Sequence, residues 1–132
     1  MRTLPSLVLL CTLIFTLASP PAIAEPELSP QFAACMDRSS GVTIAMIDCI
    51  NIEHAKQDAT LNANYRMLAS KLTAPRRQQL LEAQRAWIRF RDLNCSFYAD
   101  PDGGSAARVA ASDCLLTVTA QRAQELSRLM SP

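Results

Sequence analysis

Four cysteines, Cys35, Cys49, Cys95 and Cys114, constrain what this chain can fold into more than any other feature. A fifth, Cys11, lies inside an N-terminal apolar run and belongs with that run. An even set of cysteines in a small exported chain points to disulfides. Their spacings lack the close CxxC pairs of a zinc site or a redox centre. Four cysteines allow three pairings. Cys95 and Cys114 flank Asp100–Gly104 almost symmetrically, and Cys35 and Cys49 flank Ser39–Gly41. Each set therefore straddles one turn, and the expected pairing is sequential, Cys35–Cys49 and Cys95–Cys114. Each bridge would contribute ~3 kcal/mol by restricting the unfolded chain.

The compartment follows from the first residues. Arg2 supplies a positive start, Leu7–Leu17 an apolar core, and Ala22-Ile23-Ala24 a small-x-small cleavage site. This pattern is a secretory signal peptide over residues 1–24, with cleavage expected after Ala24. The apolar run is short for a bilayer and closes at Pro20-Pro21, so no membrane span is expected after processing. Leu10 precedes Cys11 where lipoprotein processing wants a small residue, which argues against lipidation. The product is expected to be periplasmic or secreted. Its 108 residues suit one domain with a modest core. Without Arg2, twelve basic residues face twelve acidic ones. No net field draws such a chain onto nucleic acid.

Residues 25–34 read as a flexible, proline-bearing leader, and residues 35–130 as the domain. Within and just ahead of that domain, helical periodicity runs over Gln31–Arg38, Val42–Leu72, Pro75–Tyr98 and Ser105–Leu129, with Ser105 placed to cap the last. Strand alternation is missing outside the export signal. The expected fold is all-α, a small antiparallel helical bundle stapled by two disulfides.

The third helix carries Leu80, Gln84, Ile88, Arg91 and Cys95 on one stripe, so an amide and a guanidinium face inward. Such groups need polar partners. The second helix offers Asp58 on its own inward stripe and Asn62 a turn later, and the fourth offers Arg122. These five residues are expected to form an interior network in which Asp58 bridges Arg91 or Arg122. Loss of Arg91 would then strand Asp58 at a cost of ~3–5 kcal/mol.

Catalytic patterns are missing. His54 is the sole histidine, so no metal site is expected. There is no nucleophile elbow, no phosphate-cradling loop and no designated acid–base pair. The chain reads as a binding protein without a cofactor. Two features could meet a partner: Arg85 and Arg89, one turn apart on the outer face of the third helix, and the tip formed by Asp100, Asp102, Gly103, Gly104 and Ser105. Loops held on rigid scaffolds are where binding residues concentrate.

Taken together, Asp58-x-x-Leu61-Asn62-x-x-Tyr65, Leu80-Leu81, Ala83-Gln84-Arg85-Ala86-Trp87, Arg91-Asp92-x-x-Cys95, Gly103-Gly104-Ser105, Cys114 and Arg122 resemble the LprI-like family of small exported bacterial domains. The likeness runs from about Cys35 to Leu129. It implies a helical, disulfide-containing envelope domain that inhibits lysozyme, here by occluding the enzyme's cleft. An envelope adaptor whose arginine face engages an anionic polymer or a protein is the alternative. The sequence leaves the oligomeric state open.

Overall fold

The computed structural model describes residues 25–131, so the expected export signal lies outside the described residues. Four helices follow one another: α1 (Pro30–Ser39), α2 (Thr43–Lys71), α3 (Ala74–Phe97) and α4 (Gly104–Arg128). No strand occurs among the described residues. Each boundary has a local cause. Ser29 caps α1 by accepting the Phe32 amide on its hydroxyl, and Pro30 follows at the first helical position. Ser40 and Gly41 both take positive φ and turn the chain into α2. Pro75 occupies the first turn of α3, where its missing N–H costs nothing.

The α3–α4 turn is set by the Asp100 carboxylate, which accepts the Asp102 amide at 2.9 Å. Gly104 sits at φ 61°. A Cβ on Gly103 would come 2.6 Å from that of Ala107, so the close approach itself demands glycine. Gly103, not Ser105, holds the cap position of α4, without a side-chain hydrogen bond; Ser105 falls inside the first turn.

The core sits between α2 and α4. Leu61 and Leu68 of α2 pack with Ala123 and Leu126 of α4, and Tyr65, Leu72, Leu80 and Trp87 close around them. Leu116 and Leu126 are wholly buried, each such leucine contributing about 1.5–3 kcal/mol. Small residues on α4, Ala120 and Ala123 beside Thr119, let its backbone approach α2 closely. The third helix is different: its only buried residues are Gln84 and Cys95. It leans on α4 and turns most of its surface outward.

Two disulfides staple this arrangement, Cys35–Cys49 between α1 and α2 and Cys95–Cys114 between α3 and α4. Ser29, the residue just ahead of α1, is tied to α2. Glu53 of α2, 1% exposed, accepts both the amide and the hydroxyl of Ser29, at 2.9 and 2.6 Å. Gln57 and Lys56 complete the set around the carboxylate, at 3.1 and 3.4 Å. Burial pushes this carboxyl up, but the hydrogen bonds from Ser29 and then Gln57 and Lys56 outweigh it and hold Glu53 below its ordinary value. The leader's last residues thus belong to the fold.

Candidate functional site

The inward polar residues do not assemble as one network. Asp58, half-buried, pairs with Asn62 one turn along, whose amide reaches both its carboxylate and its carbonyl at 2.9 Å. Arg91 turns to its neighbour Asp92 at 2.8 Å. Arg122 of α4 donates to the side-chain amide oxygen of Gln84 at 3.1 Å and to Glu125 at 2.8 Å. The expected Asp58 bridge to Arg91 or Arg122 is therefore corrected: neither ion pair forms among the described residues. What links the two arginines is Trp87. Their guanidinium carbons lie 5.2 and 5.9 Å from its ring centroid, a pair of cation–π contacts that pins the indole between α3 and α4.

His54 completes the middle of the bundle, its Nε2 3.3 Å from the Thr119 hydroxyl. Burial pushes its imidazole down, Asp58 pulls it up, and Arg91 pushes it down again, leaving it below the ordinary value. No cluster of three metal-ligating side chains occurs among the described residues.

These contacts predict a contrast. Arg122→Ala removes the donor that satisfies buried Gln84 and one of the cations on Trp87, and is expected to cost about 1–3 kcal/mol. Asp58→Asn keeps a local partner in Asn62 and is expected to stay within ~0.5 kcal/mol of wild type. Urea unfolding of the two variants measures both. Equal, large losses would reinstate the Asp58 network.

The outer surface of α3 carries the two arginines singled out in the sequence. Arg85 and Arg89 are exposed and form no ion pair among the described residues. Their nearest acidic neighbours along the helix are otherwise engaged: Glu82 accepts from Gln78 and Asp92 from Arg91. Beside these free cations runs a second apolar stripe, Ala86, Phe90, Leu93 and Phe97, at spacings of four, three and four. All four are exposed, Phe97 to 84%. Tyr98 stacks edge-on against Phe97 at 6.2 Å and extends the patch toward the turn. A run of exposed aromatic and aliphatic side chains beside free arginines has the composition of an interface core.

The tip residues Asp100, Asp102, Gly103, Gly104 and Ser105 are exposed too, just beyond this stripe. Arg89 and Phe97 are eight residues apart, about 12 Å along the axis, so the arginines and the tip bracket the stripe rather than meeting. The spacing of this stripe is present in the sequence, but spacing alone does not show that α3 leaves it uncovered.

The chain is a disulfide-stapled, all-α domain with one helix turned largely outward. The chain belongs to the lysozyme inhibitor LprI family, whose model matches residues 35–126. It is also 31% identical over 96 residues, 62% of this chain and 69% of the other, to an uncharacterised protein of Rhizobium meliloti. No solved structure matches the chain. The family and the two disulfides fit a protein outside the cytoplasm. No helix among the described residues is long and apolar enough to cross a membrane.

Proposed function

We propose that this protein is a periplasmic or secreted inhibitor of a lysozyme-type glycoside hydrolase that blocks the substrate cleft without chemistry of its own. The observation that carries the reading is the outer face of α3, where Arg85 and Arg89 stand free beside the exposed Ala86–Phe90–Leu93–Phe97 stripe. A glycoside hydrolase cleft of this type holds two carboxyl groups a few ångströms apart. Free guanidiniums pair well with carboxylates, and aromatic side chains fill the apolar subsites where sugar rings would lie. The disulfide at Cys95 sets the angle at which the ridge and the Asp100–Ser105 tip are presented.

The test is a lysis assay with oxidised mature protein. Reversing both charges, Arg85→Glu with Arg89→Glu, is expected to raise the concentration for half-inhibition at least ~tenfold, since it turns attraction into repulsion within the interface. Arg66→Glu, an exposed arginine on α2, is the control and should leave inhibition intact. Undiminished lysis at a large excess of wild-type protein would discard the reading. The unpaired arginines also suit an adaptor for an anionic polymer, and binding that collapses as salt rises would favour it.

A further inference from the structure

A groove runs along the seam between α3 and α4, separate from the arginine side of α3. It consists of two adjacent stretches of about 360 and 370 Å³ that share Val118 and Gln121 in their linings. Each stretch is within the ~300–1,000 Å³ typical of small-molecule sites, and both are open to solvent along their length. Three rings mark the α3 side: Trp87, Phe90 and Tyr98. Trp87 is held in place by the two guanidiniums stacked on it. Three planar amides, Asn94, Gln121 and Gln124, stand between or opposite the rings. Each offers a donor and an acceptor side by side.

Charge decides the class of ligand. Arg122 and Arg128 are matched by Asp113 and Glu125, so the groove has no net formal charge. An anionic polymer gains nothing there. Aromatic faces alternating with paired donor–acceptor groups match a chain whose units have apolar faces and hydroxyl or amide rims. We infer that the α3–α4 groove binds an uncharged, N-acetylated glycan chain. Acetamido groups complement the side-chain amides, and the sugar faces lie on Phe90 and Tyr98, with Trp87 forming part of the groove wall. This site borders the proposed lysozyme-docking face and shares Phe90 and Tyr98 with it, but its amides lie outside that face and its test involves no lysozyme.

Trp87 is the only tryptophan and lines the groove, so its fluorescence reports occupancy directly. The oxidised protein is titrated with a hexamer of N-acetylglucosamine, with cellohexaose, which lacks the acetamido groups, and with a proline-rich peptide of similar length. The expected result is a saturable change with the N-acetylated hexamer and at least ~fivefold weaker binding of cellohexaose, the loss of about one hydrogen-bonding group per site. Gln121→Ala, at an exposed position, should weaken the N-acetylated hexamer by a similar factor while the thermal midpoint stays put. No saturable change at millimolar hexamer overturns the inference. So does equal binding of cellohexaose, preference for the peptide, or indifference to Gln121→Ala.

Discussion

Replacing Glu53 by alanine is expected to lower stability by about 3 kcal/mol and to release the segment ahead of α1. The carboxylate is buried, and it accepts the Ser29 amide and hydroxyl together with Gln57. Hydrogen bonds to a charged group are each worth about 1.5–3 kcal/mol, and a donor left buried without a partner costs about 1–3. The same Ser29 hydroxyl caps α1, so losing its anchor also loosens the first turn of that helix. Urea unfolding at neutral pH gives the stability, and hydrogen exchange at the Ser29 and Phe32 amides reads the local release. An unchanged midpoint with both amides still protected would refute this account.

Acid should have the same effect without mutation. Glu53 lies below its ordinary value in the folded chain, so its contribution is complete above about pH 4.3 and fades as pH falls through the lower folded value. His54 is also held down, by burial first and by Arg91, against the pull of Asp58. The unfolded chain therefore takes up a proton at His54 below about pH 6.5, before the folded chain does. Both groups destabilise in the same direction, and the protein is expected to weaken in two steps from neutral to acid.

Periodicity carries the helices and the pairing of cysteines across turns, because both are local. Ile50, Leu61 and Leu68 stand at helical spacing on one side of α2, and that side is buried. Stripes reveal which side of a helix is inward, but not which neighbour it meets. That is why Asp58, Arg91 and Arg122 read as one network. In the fold α3 leans on α4, so Gln84 reaches Arg122 while Asp58 on α2 is left to Asn62. Glu53 was illegible for a related reason. An acidic residue on a helix is normally solvated, and the partner that justifies its burial lies 24 residues away in a segment without periodicity. The Phe90–Leu93–Phe97 stripe was legible by spacing alone. What the sequence withheld was that α3 would bury so little of itself that a second apolar side stays uncovered.

That sparse burial makes the second bridge the more consequential one for the proposed inhibition of lysozyme. Cys95→Ala with Cys114→Ala opens a link with a sequence separation of 19, and removing it is expected to cost about 3 kcal/mol. The functional loss should exceed what stability explains. Cys95 is one of only two buried residues on α3, and in sequence it falls between Leu93 and Phe97 of the exposed stripe. Without the bridge, the C-terminal half of α3 has little to fix its angle against α4, and the ridge must be ordered at the moment of binding, which weakens affinity. Removing the other bridge, Cys35→Ala with Cys49→Ala, is expected to lower the thermal midpoint comparably while leaving inhibition of lysozyme near wild type well below that midpoint. The two double variants, compared by thermal unfolding and by lysis assay at one low temperature, separate the effects. If both variants inhibit equally while both remain folded, then the Cys95–Cys114 bridge does not position the docking face.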